Sequence, residues 1–228
     1  TNNDEPTRHA VLRLGLCLVV RTCLGRSAAR RNPARNMDKQ RPKICVFCAS
    51  SHGTEPAYTA AAKTFGTLLG GAGYDLVFGG GYVGLMGEVA HAAKLAGANV
   101  TGILPEFLRY LEPPSVEEKV IFTDGLPERK KLMMEMADAF VVLPGGIGTI
   151  DEFFEVMIAI QLRVIAKPIV LLNTEDFFAP LQMLVEQTVS QGFAGASVST
   201  FFHVAMTPER AIETLGECLS RQSAGAGA

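Results

Sequence analysis

The stretch Phe140-Val-Val-Leu-Pro-Gly-Gly-Ile-Gly-Thr-Ile-Asp-Glu152 contains three features in a fixed order. A short apolar run ends at Leu143, three glycines follow, and apolar residues at helical spacing begin after them. Short β-branched runs are typical of buried strands, whereas apolar positions three or four residues apart are typical of helices. The stretch therefore predicts a strand, a glycine loop and a helix, which together form the repeating unit of a parallel α/β sheet.

The same alternation continues on both sides of this stretch. Predicted strands lie at Ile44–Cys48, Leu76–Phe78, Val100–Leu104, Val120–Phe122, Phe140–Leu143 and Ile169–Leu172. Predicted helices lie at Pro56–Leu69, Leu85–Ala96, Pro127–Ala137, Ile150–Leu162, Phe178–Gln191 and Pro208–Leu219. Nearly continuous apolar strands indicate a sheet that is buried on both faces. We predict one α/β domain with a doubly wound, Rossmann-like parallel sheet, helices on both faces, and a ligand at the carboxyl ends of the strands.

Charge divides the chain into a basic start and an acidic body. Residues 1–41 contain nine Arg and Lys against three Asp and Glu, whereas residues 42–228 contain 12 against 20. Nucleic-acid affinity comes mainly from clustered Lys and Arg on phosphates, so nucleic acid is not an expected partner of the acidic body. No run of 18 apolar residues occurs, and we therefore expect no membrane span.

Residues 1–41 are interpreted as a basic extension outside the domain, either disordered or a leader. An organelle transit peptide, a poor secretory signal and upstream translation before Met37 are the alternatives. We favour Met37 as the true start, because the residues after it lead directly into the first strand, and we expect a cytoplasmic protein. The domain is expected to span residues 42–220, and residues 221–228 to form a flexible tail.

The cysteines and histidines do not predict redox or metal chemistry. Cys45 and Cys48 form a C-x-x-C, but they lie inside a predicted strand, and no helix start follows to lower a thiol pKa. His52, His91 and His203 lie at no zinc-ligand spacing. We expect no metal and no cofactor.

The first glycine loop, Gly79-Gly-Gly-Tyr-Val-Gly-Leu-Met-Gly87, fits the G-x-G-x-x-G pattern of dinucleotide sites. That fingerprint also needs an acid at the end of the next strand, where Glu106 comes too late. NAD or FAD binding is therefore disfavoured. Contacts of Gly80 and Gly81 with a phosphate or sugar, and simple close packing of helix on strand, are the two remaining interpretations.

The second glycine loop, after Leu143, is the stronger signal for a phosphate. A helix that starts in a glycine loop offers unpaired N–H groups and a partial positive charge to an anion. No Lys follows the last glycine, so the loop is not a Walker A motif, and a phosphate monoester fits better. The candidate contacts are Gly145, Gly146, Ile147, Gly148, Thr149, Ile150 and Asp151.

Taken together, these motifs resemble the Lonely Guy (LOG) family of phosphoribohydrolases, which cut the base–ribose bond of nucleoside 5′-monophosphates. The resemblance extends from about Lys43 to Leu215. Members are often labelled lysine decarboxylases, but nothing in this sequence indicates a pyridoxal phosphate lysine. The resemblance is carried by P-G-G-x-G-T-x-x-E at 144–152, Arg129-Lys130, Phe47–Ser51, Gly79–Gly87 and Lys167–Asn173.

The resemblance implies a homodimer that hydrolyses the N-glycosidic bond of N6-modified adenosine 5′-monophosphates, giving a free cytokinin base and ribose 5-phosphate. It implies that Arg129 and Glu152 are catalytic, and that Lys130 and Glu112 contact substrate. An exposed loop residue without a substrate contact is the alternative for Glu112. Ser50 is a further candidate contact, and the favoured alternative for it is an ordinary loop residue. A general purine or pyrimidine 5′-nucleotide nucleosidase and a non-catalytic nucleotide or cofactor carrier are the alternatives. The chain departs from the family pattern at Pro127, Ile158 and Arg163, where relatives commonly have His, Thr and Gly.

Two structural interpretations compete with these roles. Thr149-x-x-Glu152 also fits a capping box, in which the Glu side chain bonds back to the start of the helix. Arg129 and Lys130 lie in the first turn of a predicted helix, where each cation opposes the helix dipole at a cost of about 0.3–1 kcal/mol. A helix selected only for stability would avoid such cations, so they favour a ligand.

Overall fold

A seven-stranded, all-parallel sheet in the order β4-β3-β2-β1-β5-β6-β7 forms the centre of the domain. The computed structural model describes residues 40–115 and 119–225. The strands are β1 Lys43–Phe47, β2 Asp75–Phe78, β3 Val100–Pro105, β4 Lys119–Thr123, β5 Ala139–Val142, β6 Ile169–Leu172 and β7 Phe202–Ala205. The helices are α1 Pro56–Gly71, α2 Gly84–Leu95, α3 Leu126–Met136, α4 Ile147–Gln161, α5 Ala179–Ser190 and α6 Pro208–Gly225.

Helices cover both faces of the sheet, as the sequence predicts. Alternate residues of each strand point to opposite faces, so Ile44 and Val46 of β1 join one core and Cys45 and Phe47 join the other. Helices α1, α2 and α6 pack on the first face. Helices α3, α4 and α5 pack on the second. The doubly wound α/β architecture is therefore confirmed.

The structure corrects the prediction in three places. A seventh strand, β7, lies at the sheet edge, where its short sequence Phe-His-Val-Ala shows no continuous apolar run. Helix α4 begins at Ile147, three residues before its predicted start. Helix α6 continues to Gly225, past its predicted end at Leu219 and into the segment expected to be a flexible tail. Its predicted N-cap is confirmed, because the Thr207 hydroxyl accepts a hydrogen bond from the Arg210 amide at 3.3 Å.

Arg41, which we grouped with the basic extension, belongs to the folded domain. Its guanidinium donates hydrogen bonds to backbone carbonyl oxygens just after α1 and α2, including those of Gly73 at 2.9 Å and Gly97. It also lies 3.3 Å from the carboxylate of Asp75 at the start of β2. The rest of the predicted extension, through Lys39, and residues 226–228 of the predicted tail lie outside the described residues.

None of the helices within residues 40–115 and 119–225 combines the length and the apolar character needed to cross a bilayer.

Candidate active site

Most of the site residues predicted from the sequence lie at the carboxyl edge of the sheet or on the helices that start there. The two glycine loops follow β2 and β5, the segment containing Glu112 follows β3, and Ser50 follows β1. Helix α3, which carries Arg129, begins just after β4. Because all strands are parallel, these loops meet at the same edge, as ligand-binding loops do in doubly wound sheets.

Arg129 and Glu152 form a buried ion pair between α3 and α4. The Arg129 Nη2 atom lies 3.2 Å from Glu152 Oε1, and only 11% and 10% of the two side chains are exposed. The two residues are 23 positions apart in the chain, so only the packing of the two helices brings them together. A buried ion pair is a weak source of stability, because its attraction must offset the loss of hydration of both charges.

Burial raises the pKa of Glu152 to about 7. Loss of hydration is the main cause, since it disfavours the charged carboxylate. The Arg129 cation opposes this shift, while the neighbouring carboxylates of Asp151 and Glu112 add to it. A carboxyl group with a pKa near neutrality is suited to proton transfer at physiological pH.

One hydrogen-bond donor of Arg129 has no acceptor within the described part of the chain. Its Nε atom is buried and finds no acceptor among the described residues. Buried N–H groups without a partner are rare in folded proteins because each one costs free energy. A donor of this kind beside an ion pair at the edge of a sheet points to an acceptor on a ligand.

The second glycine loop opens α4 without a side-chain cap. Gly146 is the N-cap residue in extended backbone, no side chain caps the helix, and no acidic residue occupies the first turn. Ile147 is 83% exposed, and Gly146 and Gly148 are also exposed. The first residues of α4 are therefore exposed and uncapped, as an anion site at a helix start requires.

The capping-box interpretation of Thr149 and Glu152 is wrong. Since α4 begins at Ile147, Thr149 is its third residue and Glu152 its sixth, too far along the helix to bond back to the N-cap amide. Thr149 is buried, and its hydroxyl packs against Gly145, where an added Cβ would overlap it. Burial of Glu152 in an ion pair therefore needs an explanation other than helix capping.

Lys130 is already engaged by two acidic side chains of α4. Its Nζ atom lies 3.0 Å from Asp151 Oδ2 and forms a second ion pair with Glu155. Both contacts raise the pKa of Lys130. Lys130 thus ties α3 to α4, beside the pair that joins Arg129 to Glu152. The predicted phosphate contacts Ile150, half-buried, and Asp151, exposed, both lie in α4, after the glycines of the loop.

The first glycine loop is buried and packs against protein atoms. A Cβ on Gly81 would lie 2.8 Å from the Cβ of Glu112, and one on Gly80 would lie 3.0 Å from the Cβ of Leu104. Gly80 also has a φ of +84°, which favours glycine. The environments of Gly80 and Gly81 therefore fit the close-packing interpretation of this loop. Ser50 is exposed at the neighbouring loop, and its backbone carbonyl carbon packs against Gly84.

Gly79 and Met86 also belong to the site, although neither was assigned to it from the sequence. A Cβ on Gly79 would overlap Arg129 Nη2 and lie 3.1 Å from the sulfur of Met86, and Met86 also contacts Gly81. The glycine pattern contained Gly79, but the pattern alone does not show which side chain approaches it.

The cysteines of the C-x-x-C, Cys45 and Cys48, are both buried free thiols, and burial raises the pKa of each.

The arrangement combines three chemical capacities within one edge of the sheet. It has a buried carboxyl group that titrates near neutrality, a buried guanidinium with an unused donor, and an uncapped helix start. A carboxylate of this kind can stabilise a developing positive charge or activate water, and the helix start can hold an anion.

Comparisons with known proteins agree on one family. A family model described as "Possible lysine decarboxylase" matches residues 86–215. The chain is 40% identical to "Probable cytokinin riboside 5′-monophosphate phosphoribohydrolase LOGL2" of Oryza sativa subsp. japonica over 177 residues, covering 77% of this chain and 72% of the relative. It is 37% identical to "Cytokinin riboside 5′-monophosphate phosphoribohydrolase LOG3" of Arabidopsis thaliana, covering 77% and 82%.

Solved structures show the same fold at lower identity. The Moco carrier protein of Chlamydomonas reinhardtii aligns with a TM-score of 0.60 at 24% identity, covering 80% of this chain and 99% of that protein. The molybdenum cofactor binding protein of Rippkaea orientalis aligns with a TM-score of 0.60 at 22% identity, covering 78% and 98%. At this identity the structures establish the architecture only. The curated relatives establish more: the chain belongs to the Lonely Guy (LOG) family of cytokinin riboside 5′-monophosphate phosphoribohydrolases.

Proposed function

We propose that this protein hydrolyses the N-glycosidic bond of adenosine 5′-monophosphates, including N6-modified ones. The bond between the anomeric carbon of the ribose and the base nitrogen breaks. Water supplies a hydroxyl group to the anomeric carbon and a proton replaces the sugar on the base. The products are a free base and ribose 5-phosphate, and the names of the curated relatives support this reaction.

The observation that carries the proposal is the buried pair of Arg129 and Glu152 near the uncapped start of α4. Cleavage of a base–ribose bond develops oxocarbenium character on the sugar, as glycoside hydrolysis does. An ionised Glu152 would stabilise that charge and take a proton from the attacking water. Burial strengthens this interaction, because charges attract more strongly in a medium of low dielectric constant.

The pKa of Glu152, about 7, gives the reaction an expected pH dependence. Only the ionised carboxylate can stabilise the oxocarbenium ion or act as base. Turnover should therefore rise with pH through about 7, and the acidic limb of the rate profile should report this residue.

Arg129 and Glu112 have different proposed tasks. The unused Nε donor of Arg129 would bind an acceptor atom of the ribose phosphate or of the departing base. Glu112 lies close enough to Glu152 to affect its pKa, and it is a candidate proton donor to the base, with water as the alternative. Lys130, held by two carboxylates, would orient α3 on α4 in addition to contacting substrate.

The 5′-phosphate would lie on the exposed glycines and first amides of α4. Phosphate groups bind at helix starts of this type, where free N–H groups converge and the helix dipole favours negative charge. A phosphate held away from the reacting bond contributes orientation, which accelerates a reaction by fixing the reacting atoms near one another. We therefore expect the enzyme to require a nucleotide rather than a nucleoside.

Chromatography of the products formed from AMP, isopentenyl-AMP and adenosine tests the proposal. We expect base and ribose 5-phosphate from the nucleotides and no ribose from adenosine. Equal rates on AMP and adenosine would contradict the phosphate role. Similar rates on many purine and pyrimidine nucleotides would support the general nucleosidase, and tight binding of nucleotide without product would support the carrier.

We also propose that the protein is a homodimer, as the family resemblance implies. Exposed apolar side chains near the end of α4 support an interface there: Ile158, Leu162 and Val164 are 54%, 67% and 73% exposed. Contiguous exposed apolar side chains are characteristic of interaction surfaces. Light scattering at micromolar concentration should give twice the mass of one chain, and a fully active monomer would contradict the proposal.

A further inference from the structure

The first glycine loop lies directly against two of the charged side chains proposed for the reaction. A Cβ built on Gly79 would overlap Arg129 Nη2, the atom that contacts Glu152. A Cβ built on Gly81 would lie 2.8 Å from Glu112 Cβ and 3.1 Å from Glu112 Oε2. Real Cβ atoms essentially never come within 3.0 Å of another heavy atom, so each site has room only for a glycine while its charged neighbour keeps this position.

Backbone conformation does not account for these two glycines. Gly80 and Gly84 of the same loop have positive φ values, whereas Gly79 and Gly81 do not. An alanine could therefore adopt the backbone of Gly79 or Gly81 without strain. The need for glycine at both positions comes from neighbouring side chains. The charged ones, Arg129 at Gly79 and Glu112 at Gly81, approach more closely than Met86, which lies 3.1 Å from either added Cβ.

We infer that Gly79 and Gly81 are positioning residues that set how closely Arg129 and Glu112 approach the carboxyl group of Glu152. For its catalytic consequence the inference rests on the proposed function. It assigns the G-x-G of this loop to the placement of catalytic side chains rather than to contact with a phosphate.

The two glycines should have opposite electrostatic effects on Glu152. The Arg129 cation lowers the pKa of Glu152, and the Glu112 carboxylate raises it. In Gly79→Ala the added methyl group would overlap Arg129 Nη2, the atom that contacts Glu152, and would so weaken the ion pair and raise the pKa of Glu152. Gly81→Ala would push Glu112 away and so lower that pKa. If the two glycines had only a structural role, both substitutions would shift the pKa of Glu152 in the same direction, or neither would shift it.

The test compares Gly79→Ala and Gly81→Ala with Gly71→Ala as the matched control. Gly71 ends α1, has no positive φ, and a Cβ there would meet no atom of the described residues within 4 Å. The pKa of Glu152 is measured by ¹³C NMR of its carboxyl carbon, and the acidic limb of kcat/KM for AMP is measured in parallel.

We expect the carboxyl titration and the acidic limb to move to higher pH in Gly79→Ala and to lower pH in Gly81→Ala. For Gly79→Ala we also expect kcat to fall on the order of 10²-fold, as misplacement of a catalytic group by about 1 Å can produce. Gly71→Ala should match the wild type. Titrations that coincide with the wild type in both loop variants, or that move in the same direction in both, would overturn the inference. The NMR result stands even if no nucleotide is hydrolysed, so the two proposals can fail separately.

A double-mutant cycle covers the case in which Gly79→Ala unfolds the protein. If the glycine is needed mainly because of the guanidinium, Gly79→Ala should cost much less stability in an Arg129→Ala background, where only the 3.1 Å approach to the Met86 sulfur remains. An equal loss of stability in both backgrounds would show that the guanidinium does not require a glycine at position 79, and would overturn the positioning role of Gly79.

Discussion

The two glycine loops share a sequence pattern but have opposite environments. The loop after β2 is buried and packs against Arg129, Glu112 and β3. The loop after β5 is largely exposed, and Cβ atoms on Gly146 and Gly148 would meet nothing among the described residues. Glycine therefore has two uses at this edge of the sheet. In the first loop it admits protein side chains, as Gly145 of the second loop also does for Thr149, whereas Gly146 and Gly148 leave space for a ligand.

After substitution of Glu152 itself, the largest effect should come from Arg129, the side chain that the first loop admits. Arg129→Ala removes the cation beside Glu152 and the unused Nε donor. We expect kcat/KM for AMP to fall on the order of 10²–10³-fold, the usual effect of losing a positioned electrostatic group. Steady-state kinetics at pH 8 measures this change. A decrease of less than about threefold would contradict a catalytic role for Arg129.

The buried pair should also make stability depend on pH. Because the pKa of Glu152 in the folded protein is about 7, above the ordinary value of 4.5, the folded state keeps a proton that the unfolded state has lost. The free energy of unfolding should therefore fall as pH rises from about 4.5 to 7, by up to about 3 kcal/mol.

Glu152→Gln removes this contribution and serves as the reference for the pH experiment. Urea unfolding of both proteins at pH 5, 6, 7 and 8 measures the difference. We expect the variant to gain stability relative to the wild type as pH rises. Parallel stability curves over this range would contradict the raised pKa.

A smaller effect is expected from the second loop. Gly148→Ala adds a methyl group to open space at the start of α4, so the fold should be unaffected or slightly stabilised. The methyl group would crowd the proposed phosphate and raise the KM for AMP about tenfold, with little change in kcat. Gly71→Ala is again the control. An unchanged KM would separate this loop from the phosphate.

The smallest effect concerns a residue other than glycine in a backbone conformation that favours glycine. Arg163 follows the C-cap of α4 with a φ of 59°, a conformation that favours glycine after a helix. Arg163→Gly should relieve strain of about 1 kcal/mol and raise Tm by about 2–4 °C. Thermal unfolding monitored by circular dichroism measures it. A lower Tm would show that the Arg163 side chain makes stabilising contacts that outweigh the strain.

The alternation of elements could be predicted from the sequence because buried parallel strands have a simple apolar pattern. The six strands of that kind were found, whereas β7 was not. Its residues His203 and Val204 are exposed at the sheet edge, so no continuous apolar run indicates it. The helix start at Ile147 was also missed, because glycines lack the apolar spacing that identifies a helix.

The contacts between distant residues could not be predicted from spacing. Arg129 was expected to add no stability, because the only force considered was the dipole of its own helix. In the structure the Arg129 guanidinium also contacts Glu152 from another helix and Gly79 from a loop. These contacts, together with the helix dipole, determine how much Arg129 contributes to stability. The capping-box interpretation failed for a related reason: the pattern was present, but the helix began two residues before Thr149.

The central claim is that Glu152 acts as an ionised carboxylate in cleavage of the base–ribose bond. The direct measurement is single-turnover release of adenine from AMP by wild-type protein and by Glu152→Gln, with the binding of AMP measured separately. The substitution keeps the size of the side chain and removes its charge. We predict that the rate falls on the order of 10²–10⁴-fold while the Kd for AMP changes little. Adenine release by Glu152→Gln at near the wild-type rate would contradict the account.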